Sequence, residues 1–166
     1  MPLAAFRAEF MGRNWGIPCL MLQPFQPMDL NELLSISLLH DVIPRTDLTI
    51  QGLPKISVYK HAFWDFGTDH AEWLPYWRNK DYVSTSHHDN IKVSLYQRKD
   101  NKLLLIVSNL HKQDLEKAEI TLNLKNLGMT AAITATDAIQ NSQVVVNDGV
   151  IVLPLPGYSP RLILVQ

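Results

Sequence analysis

From Ile91 to the C-terminus the chain breaks into seven short apolar runs separated by turn residues. The runs are Ile91 to Gln97, Leu103 to Asn109, Ala118 to Leu124, Ala131 to Ala138, Val144 to Asn147, Val150 to Leu155 and Arg161 to Val165. Such a series at regular spacing reads as a small sandwich or barrel, and the fold expected is mainly β, ending in an antiparallel β-sandwich of about seven strands. Ile91, Val93 and Leu95 alternate with Lys92, Ser94 and Tyr96, which predicts one face inward and one toward water. Leu103 to Val107 is apolar throughout and suits a central strand. Lys99-Asp100-Asn101-Lys102 and Asn147-Asp148-Gly149 carry residues that tolerate positive φ, so each is predicted to close a hairpin.

All four tryptophans lie upstream of this series, and the first half has a different character. Ile17 to Leu22 is apolar on both alternating faces, the pattern of a strand inside a parallel sheet. After Gln23-Pro24-Phe25-Gln26-Pro27, Asp29 can cap a helix whose Leu30, Leu33, Leu34, Ile36 and Leu38 form an apolar face, and Pro44 stops it. One such strand-loop-helix unit cannot cover both faces of its strand. Either it packs on the sandwich or its sheet partners lie elsewhere. His40-Asp41 at the helix end is predicted to act as a partner of the helix dipole beside a polar loop. The expected division is therefore a strand-loop-helix unit at 1–50, an aromatic-rich connector at 51–90 and the sandwich at 91–166, with a short helix or helical turn over Asp69 to Trp77.

Charge argues against several partners. The formal net charge is -1 and the basic residues are scattered, so neither nucleic acid nor an anionic membrane surface is an expected partner. No window approaches the ~20 apolar residues of a membrane span, and residues 1–10 hold Arg7 and Glu9 without an apolar stretch of signal-peptide length. Localisation stays open. The single cysteine, Cys19, lies inside an apolar run and is expected to be an inert buried thiol.

Glycoside hydrolysis needs two carboxyl groups facing one bond, ~5 Å apart for retention and ~6.5 to 9.5 Å apart for inversion. Asp65 with Asp69 or Glu72 is the nearest thing to such a pair, because Trp64 and Trp73 beside them could wall a sugar site. The alternative is that carboxylates near helix starts only cap and pair with dipoles, and no catalytic residue is assigned. Trp64, Trp73, Tyr76 and Trp77 admit two readings as well, a sugar-stacking platform or buried packing at a junction. His87-His88-Asp89, with His61 and His70 near the aromatics, suggests a metal, but adjacent histidines in an extended segment point to opposite faces. No metal or other cofactor is expected. The chain holds no Walker loop, dinucleotide-binding glycine turn, Gly-X-Ser-X-Gly elbow or Cys-His pairing.

Met11 to Pro18, Leu38 to Pro44 and Trp73 to Asn79, followed by Lys92 to Tyr96 and Leu105 to Leu110, together resemble the C-terminal part of bacterial glycoside-hydrolase-like proteins related to glycoside hydrolase family 123. The resemblance implies a (β/α)8 catalytic barrel followed by a small antiparallel β-sandwich. Ile17 to Leu22 would then be a late barrel strand and Asp29 to Ile43 its outer helix, a remnant of the barrel. Gln23 and Phe25 would sit at the rim where barrel enzymes bind substrate. The family's acid pair lies upstream, and no stretch of this chain matches it. The resemblance thus implies an accessory C-terminal part, inactive alone, with the upstream barrel as partner and a glycan as the bound substrate. The competing reading is a stand-alone carbohydrate-binding module using Trp64, Trp73 and Trp77. A hydrolase complete in itself is the weakest reading, since one strand-helix unit encloses no pocket.

Overall fold

The computed structural model describes residues 3–10, 20–22, 29–45, 52–86, 89–130 and 132–166. Trp15, Ile17, Cys19, Gln23, Phe25, His87, His88 and Ala131 lie outside them. The described elements begin with α1 (Leu3–Phe10), β1 (Leu20–Leu22), α2 (Leu30–Ser37), a 3-10 turn (Leu38–His40), β2 (Ile43–Arg45) and α3 (Gly52–Phe66). There follow β3 (Glu72–Leu74), β4 (Val83–Thr85), β5 (Ile91–Gln97), β6 (Leu103–Asn109), β7 (Leu115–Leu122), β8 (Ala135–Asp137), β9 (Ser142–Asn147), β10 (Val150–Leu155) and β11 (Ser159–Val165).

Each of the seven predicted runs contains a strand, β5 to β11. They do not make a seven-stranded sandwich. Among the described residues nine antiparallel strands form one sheet in the order β3-β5-β6-β11-β8-β9-β10-β7-β4. The short β8 joins two halves that curl around one core, in which Ile91, Val93, Leu95, Leu103, Leu105 and Val107 meet Ala118, Ile120, Leu122, Ile151, Leu153 and Leu155. The two edge strands, β3 and β4, come from the stretch expected to be a connector. The Asn147-Asp148-Gly149 turn forms as predicted, with Asp148 at φ 47 and Gly149 at φ 80, the paired positive φ values of a tight hairpin.

The outer face of β5 is a correction. Ser94 and Tyr96 were expected to face water, yet both are buried, because a helical layer covers that side of the sheet. Leu34, Leu38 and Leu39 from the α2 region and Ile56, Tyr59, Phe63 and Phe66 from α3 pack on Tyr96, Leu104, Ile106 and Leu162. This is why Leu103 to Val107 needs no polar residue: 103, 105 and 107 enter the inner core while 104 and 106 enter the outer one. Helix α3 was missed by the connector reading. Its buried residues recur at intervals of three and four, a helical period that the run of aromatics obscured. Gly67, at φ 76, ends it and donates to the Phe63 and Trp64 carbonyls.

Asp29 caps α2 as predicted, its carboxylate accepting from the Asn31 N–H at 2.8 Å. Strands β1 and β2 pair in parallel, Leu20 beside Ile43 and Leu22 beside Arg45, so strand, helix and strand form a βαβ unit. Of the short helix or helical turn expected over Asp69 to Trp77, only a turn at its start forms. Thr68–His70 is one 3-10 turn and Glu72–Leu74 pairs with β5, Trp73 opposite Tyr96. Pro75 lacks the N–H that a helix through this segment would need, and the sheet edge satisfies the backbone instead.

A sandwich wet on its outer face and a sheet buried on both faces respond differently to mutation. Leu105→Ala and Ile106→Ala should each lower the unfolding free energy by about 2 to 5 kcal/mol, the range for emptying a buried aliphatic site. Urea titration of both variants checks this; an Ile106→Ala protein as stable as the parent would mean that the outer face is not packed.

Candidate functional site

Of the aromatic residues singled out from the sequence, Trp73, Tyr76 and Trp77 converge where α1, the 3-10 turn after α2, β3 and the turn following β3 meet. Glu72, Trp73 and Leu74 from β3 line an open cleft of about 740 Å³ with Arg7, Pro75, Trp77, Arg78 and Tyr82. The Trp73 and Trp77 rings are 5.5 Å apart at 84°, and Tyr76 meets Trp77 edge-on at 4.8 Å. His40 stacks on Trp77 at 5.5 Å and 26°, and the Arg7 guanidinium lies over the same indole at 5.1 Å. Trp77 is therefore engaged by four neighbours, in perpendicular and stacked geometries typical of packed aromatics.

Three polar residues hold this arrangement on the sheet. The Ser94 hydroxyl donates to the Leu39 carbonyl at 2.7 Å and accepts from the Tyr76 N–H at 3.1 Å. The Asn79 amide donates to the carbonyls of Val93, at 2.7 Å, and Leu74, at 3.3 Å. Tyr96 donates to the Asp41 carboxylate. Burial raises the Asp41 pKa, with the Tyr96 hydrogen bond opposing the shift. The same burial, reinforced by Asp41, pushes the Tyr96 phenol well above its ordinary value.

His40 corrects a second expectation. It partners the helix end as expected, through the Ile36 carbonyl, but it is fully buried. Its Nδ1 lies 2.7 Å from the Ile36 carbonyl and its Nε2 lies 3.3 Å from the Tyr76 hydroxyl. A carbonyl can only accept, so Nδ1 carries the proton and Nε2 accepts from Tyr76. Burial lowers the His40 pKa, and the Arg7 charge lowers it further against the raising effect of the Ile36 hydrogen bond. It contacts the helix end as a neutral hydrogen-bond donor, not as a cation.

The structure does not bring the two candidate carboxylates into one hollow. Glu72 is on the cleft just described, whereas Asp65, exposed on α3, lines a separate hollow of about 250 Å³ with Phe66, Arg98, Lys102, Asn141 and others. Asp69 pairs with His70 at 3.3 Å in the exposed turn between them. Trp64 is 85% exposed and lines neither hollow. Gln23 and Phe25 lie outside the described residues. Among the described residues no three His, Cys, Asp or Glu side chains gather as a metal site, and no helix is long and apolar enough to cross a membrane. His40 and Arg7 are the residues of this site that sequence reading missed. The apolar spacing of α2 would have turned His40 inward, but nothing in the sequence placed Arg7 on Trp77.

Residues 56–151, more than half of the chain, match the family described as glycoside hydrolase 123, C-terminal domain. The chain belongs to this family. The match runs from α3 into β10, so this C-terminal domain includes the helix and both edge strands as well as most of the regular strand series. In fold it is similar to a noncanonic maltogenic α-amylase, AmyB, from Thermotoga neapolitana, at 10% identity and a TM-score of 0.59 over 98% of this chain and 44% of that one. It is also similar to an Anoxybacillus α-amylase at 6% identity and a TM-score of 0.52, over 76% of this chain and 25% of that one. A family 30 subfamily 8 xylanase, Xyn30A, from Clostridium acetobutylicum matches at 10% identity and a TM-score of 0.50, over 93% and 44%. The chain spans less than half the length of each. At 98% coverage, the first likeness extends ahead of residue 56, into the helical layer on the sheet. No curated protein matches the chain.

If the rings are packing and not a platform, removing one should cost stability. Trp77 is half-buried, so Trp77→Ala should destabilise by about 3 kcal/mol, the low end for an emptied aromatic site. Denaturant unfolding followed by circular dichroism measures it. An unchanged midpoint would show that the ring bears no structural load.

Proposed function

We propose that this chain is the C-terminal accessory part of a glycoside hydrolase, the piece that buttresses a catalytic barrel acting on a glycan. The observation that carries this reading is the two-sided docking of α2. Its Leu34 enters the core against the sheet, while Leu33 and Ile36 pack with Phe6 and Val42 in a second cluster on the other side of the helix. A helix that links a parallel βαβ unit to an antiparallel sheet is what the junction between a (β/α)8 barrel and a C-terminal β domain requires. In this reading residues 1–50 are the end of the barrel, 51–90 form the junction while giving the β domain α3 and its two edge strands, and 91–166 complete that domain. Gln23 and Phe25 then belong to the loop at the barrel rim. Among the described residues β1 and β2 pair only with each other, and in this reading the other parallel strands of the barrel would flank them.

The placement of the acidic residues supports a catalytic pair outside this chain. Asp65 and Glu72 line different hollows, which favours an acid pair supplied from elsewhere, since both carboxyl groups must face one glycosidic bond. The ring geometry favours packing over sugar stacking, because a flat platform needs coplanar free faces and the Trp73 and Trp77 planes are nearly perpendicular.

The purified chain should show no turnover on a broad panel of aryl glycosides. Robust turnover abolished by Asp65→Asn or Glu72→Gln would overturn the accessory reading and make this chain an enzyme in its own right.

A further inference from the structure

We propose that His40 is a proton-operated latch that holds helix α1 against the turn after β3 and keeps the Arg7 side of the cleft in place. The imidazole is a hub. The Phe6 ring of α1 lies 4.5 Å from it, Trp77 stacks on it, and Tyr76 meets it edge-on at 5.4 Å. Phe6, His40 and the hydrogen-bonded Ile36 carbonyl are all on the side of α2 away from the sheet core or at its end. What binds α1 here is therefore a small cluster separate from the inner core of the sheet.

The neutral ring makes both hydrogen bonds without placing a charge in the cage. With Nδ1–H on the Ile36 carbonyl, Nε2 must supply a lone pair to the Tyr76 hydroxyl. A second proton turns Nε2 into a donor facing a donor. Tyr76 must then rotate its hydroxyl to accept, and a buried charge is created in an apolar cage. Among the described side chains, the charged and titratable groups around the cage do not relieve it. Arg7, from α1, is positive and rests on the same Trp77 ring. Tyr76 is a phenol held neutral by burial, and the Asp41 carboxylate is turned to Tyr96. Protonation thus sets His40 and Arg7 against each other across Trp77, and separation of α1 is the movement that rehydrates both charges.

The direction in pH follows. Burial holds the docked ring below the ordinary histidine value, and release into water returns it toward that value, about 6.5. The released form therefore binds more protons as pH falls. Docking of α1 has its full strength above about pH 6.5 and weakens as pH drops through that value toward the docked pKa. From about pH 7.5 to about pH 5.5 the docking equilibrium can fall by at most roughly tenfold, the limit set by a free histidine taking up its proton.

Hydrogen exchange measured by mass spectrometry on the whole chain tests this, with rates corrected for the intrinsic pH dependence. Protection at residues 3–10 should fall by up to roughly tenfold between those pH values, while residues 103–107 keep theirs. His40→Gln, which retains a donor and an acceptor but does not titrate, should make the α1 signal independent of pH. Three results would overturn the latch: α1 protection that ignores pH in the parent, the same loss in His40→Gln, or sheet protection lost in parallel with α1. Should the variant fail to fold, an imidazole NMR titration of the parent decides the matter, and a His40 titrating at or above 6.5 refutes the proposal.

Discussion

Strand β6 has no face toward water, and most of the structure follows from that constraint. A strand buried on both sides forces a layer onto each side of the sheet. The other half of the curled sheet supplies one layer, and α2 with α3 supplies the second. Without the helices, Tyr96, Leu104, Ile106 and Leu162 would form a continuous exposed apolar face, which soluble domains avoid. The first half of the chain therefore covers the sheet instead of hanging from it.

Helices laid on a sheet can slide, because apolar contacts carry little direction. Polar bonds from buried groups supply it here. Ser94 and Asn79 join β5 to the 3-10 turn after α2 and to the turn after β3, and each satisfies main-chain groups that would otherwise be buried without partners. Deeper in the sheet the buried Asp137 does comparable work. It accepts from Arg161 at 2.6 Å and from the Ile139 and Gln140 N–H groups, which fixes the turn between β8 and β9 and the short strand that joins the two halves. The aromatic cleft inherits its geometry from these anchors. Its rings are held edge to face by segments tied to the backbone of β5, which suits a rigid joint between layers better than a surface that must adapt to a ligand.

Much of the β domain was legible from residues alone. Burial on alternating positions marks strands one at a time, and the period of two in Ile91 to Leu95 and Ala118 to Leu122 is a local property. The Asp148-Gly149 turn and the Asp29 cap were legible for the same reason, since each rests on what one or two side chains allow the backbone to do. The resemblance to the glycoside hydrolase 123 C-terminal region was carried by such local strings. Helix α3 is also encoded locally, in the helical spacing of Ile56, Tyr59, Phe63 and Phe66, a period obscured by the aromatic residues around it.

Tertiary structure decided the rest. Whether Ser94 and Tyr96 meet water or helices depends on a layer that begins far upstream, at α2, and no pattern within β5 encodes it. Edge strands β3 and β4 have three residues each, too few to show a period, and they exist because β5 and β7 offer unpaired backbone. The separation of Asp65 from Glu72, the neutral state of His40 and the seat of Arg7 on Trp77 arise from packing between distant segments. The sequence by itself determined which residues are strand, turn and cap, because those choices are made by neighbours along the chain. Charge state, exposure and the grouping of side chains into a site were decided in space, where desolvation and hydrogen bonding act between residues that the sequence keeps far apart.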